Sequence, residues 1–192
     1  MTDIAVVFGG PSPEHDVSVL TGLQAARTLL SSPAYRTRAL YWSKLGRFHE
    51  VDPGSEGEDF LDGVPRGAKP LELIVGPGAG FVGRGRFGGK RPPLREVLVN
   101  CCHGGPGEDG TLQSALDLAG VPYTGPDAAG AFVGMDKLAF GALVASAGLP
   151  TLPRALIEEE GYPGFDGPYI VKPRFGGSSI GIEVVEDLET AR

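Results

Sequence analysis

The order of apolar and polar residues at the start of the chain predicts a strand, a turn and a helix. Residues 4–8 (IAVVF) form a short apolar run that ends in Gly9-Gly10, a pattern typical of a buried strand leading into a tight turn. Beyond the turn, Ser12 is placed to cap a helix and Pro13 suits its first position. Apolar residues then recur with helical spacing, at Val19, Leu20, Leu23, Ala26 and Leu30.

The alternation of predicted strands and helices continues to about residue 125. Residues 38–42 (RALYW) predict a second strand, and a helix between two strands is the order of a right-handed parallel crossover. Residues 97–102 (VLVNCC) predict a third buried strand, which opens into a glycine-rich loop at 103–110 (HGGPGEDG) and a short helix at 111–119. The pattern favours an open α/β sheet with helices on its faces, in which ligands bind at the carboxyl ends of the strands.

The pattern changes beyond residue 125, where we expect a domain boundary. Residues 127–146 predict a helical stretch. Two short strands, at 169–172 and 180–185, are joined by the glycine-serine tip PRFGGSS and predict a hairpin. Asp187 can cap a last helix that would stop after one turn, so the sequence suggests a chain that is cut rather than finished.

Glycine and proline add one feature to this picture. The chain has 31 glycines and 17 prolines in 192 residues, and a large share of them lies between residues 53 and 93, where we expect a loop or insertion. This segment contains the spacing GxGxxG twice, at Gly78, Gly80, Gly83 and at Gly83, Gly85, Gly88. No helix start or acidic residue follows as a dinucleotide fingerprint requires, so we interpret the segment as a solvated basic loop with Arg84, Arg86, Lys90 and Arg91.

Charge and composition exclude several classes of function. Lys and Arg number 17 against 24 Asp and Glu, a formal net charge of −7, which argues against general nucleic-acid binding. No apolar run approaches the roughly 20 residues of a membrane span. The N-terminus lacks the basic region of a signal peptide, so we expect a cytoplasmic protein without a membrane or nucleic-acid partner. Cys101 and Cys102 are adjacent and predict small buried residues rather than a disulfide framework.

Two loops at predicted strand ends carry candidate chemistry. Glu14 and His15 follow the first glycine turn, and His103, Glu108 and Asp109 lie in the second glycine-rich loop. Each set alone is explained by the preference for carboxylates at helix starts and caps. Two such loops at the same edge of one sheet favour a functional site.

A third candidate is the segment VKPRFGGSSIGI at 171–182. It combines Lys172 with flexible backbone amides and hydroxyls, which suit a polyphosphate. The spacing is equally typical of a surface hairpin. Lys137 follows Met135-Asp136 at a predicted helix start, where it is also explained as a solvated charge.

Taken in order, these segments resemble the D-alanine–D-alanine ligase family of the ATP-grasp superfamily. The segments are GGPSPEHDVS at 9–18, CHGGPGEDGTLQ at 102–113, VPYTGPDAAGAFVGMDK at 121–137, AGLP at 147–150 and VKPRFGGSSIG at 171–181. Five motifs in the right order are far more specific than one pattern match. The resemblance covers little more than half of a complete ligase.

The resemblance implies a fold, a reaction and partners. It implies a Rossmann-like N-terminal substrate domain with an open parallel sheet (residues 1–125), followed by the start of an incomplete ATP-grasp domain (residues 126–192). The family uses ATP, with Mg²⁺, to phosphorylate the carboxylate of a first D-alanine, and the amine of a second D-alanine then attacks the acyl phosphate. The product serves peptidoglycan synthesis, and a full-length member is expected to be a homodimer.

The resemblance also implies roles for individual residues. Glu14 should hold the ammonium of the first substrate, and His103 should lie near its reacting carboxylate. Lys137 and Lys172 should contact ATP phosphates. The loop that closes over those phosphates should be formed by Gly176, Gly177, Ser178 and Ser179, with Ser178 hydrogen-bonded toward Glu14.

Other parts of the family pattern do not match these 192 residues. The adenine-binding strand, the magnesium ligands, the oxyanion-stabilising arginine and the tyrosine of the lid network are expected beyond residue 192, so the chain alone is not expected to catalyse ligation. Two alternatives stay open: a non-catalytic amino-acid-binding or partner module, and another ATP-grasp enzyme such as a D-alanine–D-lactate or other dipeptide ligase.

Overall fold

The computed structural model describes residues 1–77, 79–83, 93, 96–157 and 162–191. The predicted basic loop at 84–91, Gly78 of the glycine pattern and the last residue, Arg192, lie outside the described residues. The chain divides into two units, Met1–Ala131 and Phe132–Arg192.

The first unit is built on a six-stranded mixed sheet. Its elements are β1 (Thr2–Gly9), α1 (His15–Leu30), β2 (Tyr35–Trp42), β3 (Phe48–Val51), β4 (Lys69–Ile74), β5 (Gly80–Gly83), β6 (Val97–Asn100) and α2 (Thr111–Ala119). The strand order is β5-β4-β3-β2-β1-β6. β1 pairs in parallel with β2 and with β6, which confirms the predicted α/β class and the parallel crossover.

The other half of the sheet is antiparallel and was not predicted. β3 pairs with β2, β4 with β3, and β5 with β4, all antiparallel. The prediction of a loop or insertion across residues 53–93 is therefore wrong for β4 and β5. Their high glycine and proline content concealed them, because Pro70 lies within β4 and glycines begin and end β5.

Helices cover both faces of the sheet. α1 packs on one face, where Val19 and Leu23 join Phe8 and Tyr41 in one core. A Cβ at Gly22 would lie 2.2 Å from the Cβ of Phe8, so glycine allows the helix to contact the strand. α2 packs on the other face through a second core, formed with Ala5, Val7, Leu98, Leu112 and Leu116. The order β2-β1-β6 places the carboxyl end of β1 at a reversal of strand order, where ligands bind in open α/β sheets.

Near that edge, the start of α1 and the end of β6 differ from the predicted boundaries. α1 begins at His15 rather than Pro13, and Ser12 does not cap it. Instead, the Ser12 hydroxyl accepts from the Glu14 N–H over 3.1 Å, which forms a separate turn before the helix. The third predicted strand ends at Asn100, because the amide oxygen of Asn100 accepts from the Cys102 N–H and turns the chain.

The second unit contains helices and a two-stranded sheet. α3 (Ala128–Met135) crosses the boundary between the units, and α4 (Lys137–Ser146), β7 (Tyr169–Val171), β8 (Glu183–Val185) and α5 (Leu188–Ala191) follow. The predicted single helical stretch at 127–146 is two helices bent by 102°. β7 and β8 pair antiparallel, as the hairpin pattern predicts. Asp187 accepts from the Thr190 N–H over 2.8 Å, which confirms the predicted cap of α5.

Within the described part of the chain, no single helix is long and apolar enough to cross a membrane. α3 and α4 reach that length and apolarity only when the bent pair is counted together.

Candidate functional site

The loop after β1 depends on two glycines with left-handed backbone. Gly9 and Gly10 have φ of 90° and 98°. A Cβ at Gly9 would lie 2.3 Å from the carbonyl oxygen of Trp42, and the Gly10 N–H donates to the same oxygen over 2.6 Å. The end of β1 is therefore held against the end of β2, and the chain turns at once toward Glu14.

His15 supports this loop from inside the protein. Its Nδ1 lies 2.7 Å from the carbonyl oxygen of Gly10, and its Nε2 lies 3.1 Å from the hydroxyl of Tyr41. Because a carbonyl oxygen only accepts, Nδ1 donates, and in the neutral ring Nε2 accepts from Tyr41. His15 is buried, so this candidate from the sequence is a supporting residue of the loop.

Ser18 links the ends of β1 and β6. Its hydroxyl accepts from the Gly9 N–H over 2.7 Å and donates to the carbonyl oxygen of Cys101 over 2.8 Å. The side chain is fully buried. Ser18 is not predictable from the sequence, because a serine on the apolar face of a helix carries no local signal of a partner 83 residues away.

The second loop, residues 102–110, is held by two amide side chains. The carbonyl oxygen of Gly107 accepts from Asn100 Nδ2 over 2.9 Å and from Gln113 Nε2 over 3.0 Å. Glu108 accepts from the Gly104 N–H, and Asp109 accepts from the Thr111 N–H at the first residue of α2. Both acidic side chains of this loop, Glu108 and Asp109, therefore stabilise its backbone conformation.

The two loops meet at Glu14 and Gly104. Glu14 is 7% exposed, and a Cβ at Gly104 would lie 2.5 Å from Glu14 Oε1 and 2.8 Å from the hydroxyl of Ser12. His103 precedes Gly104, and its Nε2 lies 3.0 Å from the Thr21 hydroxyl on α1. The structure therefore brings the loop that carries Glu14 against the loop that carries His103, as the two-loop hypothesis predicts.

The thiols of Cys101 and Cys102, which lie next to this loop, are unreactive near neutral pH. Burial raises the pKa of Cys102 to about 12, with further effects from Cys101 and Glu108. Burial also raises the pKa of Cys101. Both thiols stay protonated near neutral pH, which agrees with the expectation of small buried residues rather than reactive groups.

In the second unit, the junction of α3 and α4 holds the tip of the hairpin. Asp136 caps α4 by accepting from the N–H groups of Leu138 and Ala139. Its carboxylate also accepts from Arg174, by Nε over 2.8 Å and by Nη2 over 2.5 Å. Hydrogen bonding from Arg174, with smaller effects from the cap, lowers the Asp136 pKa to about 2.

The candidate phosphate residues lie beside this pair. Lys137 begins α4, as predicted, and its ammonium donates to the carbonyl oxygen of Gly176. Ser178 and Ser179 have φ of 51° and 58°, an uncommon conformation for residues other than glycine. Lys172 directly follows β7 and is exposed. The structure thus brings Lys137 to the predicted loop at 176–179.

Comparison with known proteins gives this arrangement a family. The family model described as "D-ala D-ala ligase N-terminus" matches residues 3–126. The chain belongs to the D-alanine–D-alanine ligase family. The resemblance stated from the sequence motifs is thereby confirmed. The roles predicted for Glu14, His103, Lys137, Lys172 and the loop at 176–179 stay predictions.

Curated relatives and solved structures agree with this family. The chain is 32% identical to a D-alanine–D-alanine ligase of Wolinella succinogenes, over 96% of this chain and 52% of the relative. It is 35% identical to one of Nocardia farcinica, over 98% of this chain and 56% of the relative. The chain spans about half the length of these family members.

Among solved structures, the D-alanine–D-alanine ligase of Helicobacter pylori has a TM-score of 0.83 at 24% identity, covering 100% of this chain and 59% of that one. The VanG D-Ala:D-Ser ligase of Enterococcus faecalis has a TM-score of 0.76 at 26% identity, covering 99% and 58%. The family fold therefore extends over both units of the chain.

Proposed function

We propose that these residues form the part of an ATP-dependent ligase that binds a first D-alanine and contacts the phosphates of ATP. In the proposed reaction, the γ-phosphoryl group of ATP passes to a carboxylate oxygen of the first D-alanine and ADP leaves. The amine of a second D-alanine then attacks the acyl carbon, forms the peptide bond, loses a proton and releases inorganic phosphate. The proposed product is a precursor of peptidoglycan made in the cytoplasm.

The observation that carries this proposal is the approach of Glu14 to Gly104. A carboxylate that is 7% exposed and faces a second loop at a strand-order reversal suits the ammonium group of a small amino acid. A charge-assisted hydrogen bond is strongest where water is largely excluded. Glu14 would then bind the ammonium, and His103 would lie beside the carboxylate that reacts.

The second unit supports the nucleotide part of the proposal. Lys137 contacts the glycine-serine tip at Gly176, and Lys172 precedes this tip in the chain. Lysine ammonium groups offset the charge that develops during phosphoryl transfer. Gly176, Gly177, Ser178 and Ser179 offer backbone N–H groups and hydroxyls for phosphate oxygens. The closing of this loop, with Ser178 bonded toward Glu14, remains a prediction from the resemblance, as does a homodimer.

The proposed phosphoryl transfer raises the question of which residues could bind Mg²⁺. Phosphoryl transfer from ATP ordinarily uses Mg²⁺, which would supply positive charge to offset that of the phosphates. Across the described ranges, no three His, Cys, Asp or Glu side chains come together as metal ligands. No set of described residues is therefore proposed as a magnesium site.

The second amino acid is the part of the proposal with a competing candidate. Sequence identity to the VanG D-Ala:D-Ser ligase is 26%, against 24% to the D-alanine–D-alanine ligase of Helicobacter pylori, whose TM-score of 0.83 is higher than the 0.76 of VanG. Glu14 and His103 concern only the first substrate. The proposal names D-alanine as the second substrate because the curated relatives carry that name.

Binding of the first substrate can be tested with Trp42. It is the one tryptophan of the chain, and a Cβ at Gly10 would lie 3.1 Å from its indole ring. Titration with D-alanine should produce a saturable change in Trp42 fluorescence, with L-alanine as the stereochemical control. A separate titration should show ATP binding.

The outcomes separate the alternatives. Equal responses to D- and L-alanine would contradict a D-amino-acid site, and no response from folded protein would contradict a substrate site at Glu14. D-alanine binding without binding of either ATP or inorganic tripolyphosphate would favour the non-catalytic amino-acid-binding module.

A further inference from the structure

An ion pair between Asp136 and Arg174 joins the tip of the β7–β8 hairpin to the start of α4. Asp136 is 1% exposed, whereas the side chain of Arg174 is 42% exposed. The Arg174 guanidinium reaches the carboxylate with two donors, Nε on Oδ1 and Nη2 on Oδ2. This fork fixes both the distance and the orientation of the two groups.

The carboxylate of Asp136 is held from a second direction. Its Oδ1 accepts from the N–H groups of Leu138 and Ala139 over 3.0 Å and 3.2 Å. These are the first turn of α4, so the carboxylate cannot rotate without releasing the helix cap. Asp136 therefore fixes the position of the Arg174 guanidinium relative to the first turn of α4.

Three successive residues at this junction each contact the hairpin tip. Met135 Sδ accepts from the Gly176 N–H over 3.3 Å, and the Lys137 N–H donates to the carbonyl oxygen of Arg174 over 3.1 Å. The Lys137 ammonium donates to the carbonyl oxygen of Gly176. The Asp136–Arg174 pair lies between these contacts, so it sets where the Lys137 ammonium meets the loop.

The two cations at the junction, Arg174 and Lys137, have different kinds of partner. Asp136 neutralises Arg174, whereas the partner of the Lys137 ammonium on the tip is an uncharged carbonyl. An ammonium has three donors, of which the Gly176 carbonyl uses one. The cation suited to attract a phosphate is therefore Lys137, and Arg174 acts on its position.

We propose that Asp136 and Arg174 are positioning residues, which hold the Lys137 ammonium at the hairpin tip and so set the place where a polyphosphate binds. This inference rests on the proposed function, in which Lys137 contacts ATP phosphates. The role depends on the fork geometry of Arg174 and not on its charge.

The test compares Arg174→Gln, Arg174→Lys and Asp136→Asn with the parent chain. The readouts are affinity for ATP and for inorganic tripolyphosphate, at matched ionic strength, and hydrogen exchange of the Lys137 and Gly176 amides. Each variant should weaken both ligands about tenfold and speed exchange at the two amides. Arg174→Lys should be no better than Arg174→Gln, because a lysine keeps the charge but lacks the fork.

The control is Arg36→Gln, which removes an exposed arginine from its ion pair with Asp3 in the first unit. It should leave both ligand affinities unchanged. Circular dichroism and the D-alanine response of Trp42 check that each variant is folded. If Asp136→Asn does not fold, the two Arg174 variants decide the question, because that side chain is partly exposed.

Three results would overturn the inference. Unchanged ligand affinity in Arg174→Gln, with faster exchange, would show a purely structural pair and leave the proposed function intact. Full rescue by Arg174→Lys would show that charge rather than position matters. A parent chain that binds neither ATP nor tripolyphosphate would overturn the nucleotide part of the proposed function and this inference with it.

Discussion

The hydroxyl of Ser18 on α1 donates to the carbonyl oxygen of Cys101 directly after β6, across 83 residues of sequence. The same hydroxyl accepts from the Gly9 N–H, so one side chain joins the loop that leads to Glu14 with the loop that leads to His103. The relative position of the two proposed substrate-binding loops therefore depends on a hydroxyl whose partners are the backbones of Gly9 and Cys101.

Ser18→Ala should lower both stability and D-alanine affinity. It leaves a buried N–H and a carbonyl oxygen without this partner, which should cost about 1–3 kcal/mol of unfolding free energy. Urea unfolding and the Trp42 titration measure the two effects. Ser31→Ala is the matched control, because it removes an exposed hydroxyl that bonds to Thr28 at the other end of α1, and its effect should stay within about 0.5 kcal/mol. Equal effects of the two substitutions would contradict the linking role of Ser18.

Gly104→Ala should disturb Glu14 directly. Gly104 has φ of 63°, and the added methyl would lie 2.5 Å from Glu14 Oε1, so the carboxylate must move. The control is Gly120→Ala, because Gly120 also has φ of 63° but a Cβ there would meet nothing within 4 Å. Gly120→Ala should cost about 1–2 kcal/mol from backbone strain alone. Only Gly104→Ala should also remove the D-alanine response, and retention of that response would contradict a substrate site at Glu14.

Local sequence patterns predicted the part of the fold built from strong periodic elements. β1, α1, β2 and α2 each have a continuous apolar run or a helical apolar face, so their type and order were readable. β3 and β5 have four residues each, too few to show a period. They are strands because β2 offers an edge on which β3 and then β4 and β5 can pair, which is a property of the tertiary structure.

The candidate site divides in the same way. Glu14 and His103 were found because charged residues after glycine turns are conspicuous in sequence. Asn100, Gln113 and Ser18 were missed because their partners are distant in sequence or lie on another element. The sequence shows Asp136 only as the residue before Lys137, since the apolar stretch on both sides of it conceals the bend.

Glu14→Gln should weaken D-alanine binding and leave ATP binding nearly unchanged. The substitution keeps the size of the side chain and removes the charge that faces the proposed ammonium. Loss of a charged hydrogen bond costs about 1.5–3 kcal/mol, or roughly 10- to 150-fold in affinity. Separate titrations with D-alanine and ATP measure the two affinities. Equal weakening of both ligands would indicate that Glu14 has a structural role.

Acid should weaken the second unit through Asp136. The folded-state pKa of about 2 lies below the ordinary 3.8, so the ionised carboxylate favours the folded state. This contribution is fully present above about pH 4 and is lost as pH falls through 2. Arg174 stays charged throughout, since the same bond raises its pKa. Asp187 titrates in the same direction, because the Thr190 N–H lowers its pKa.

The Asp136 contribution can be isolated by subtraction. Urea unfolding of the parent and of Asp136→Asn is compared between pH 5 and pH 2, so that Asp187 and all other carboxylates cancel. The stability difference should stay constant down to about pH 4 and then shrink as pH falls toward 2. A difference that does not change with pH would show that the Asp136 charge does not contribute.

Lys172→Ala separates the phosphate interpretation of the hairpin from the surface interpretation. Lys172 is exposed and follows β7, so its removal should change the unfolding free energy by no more than about 0.5 kcal/mol in either case. If its ammonium contacts ATP phosphates, ATP affinity should fall roughly 10-fold or more, since a charged contact is lost. Lys44→Ala, which removes an exposed lysine paired with Asp16 in the first unit, should leave ATP affinity unchanged. An unchanged ATP affinity in Lys172→Ala would mean that the hairpin lysine is only a solvated charge, and Lys137 would then carry the phosphate proposal alone.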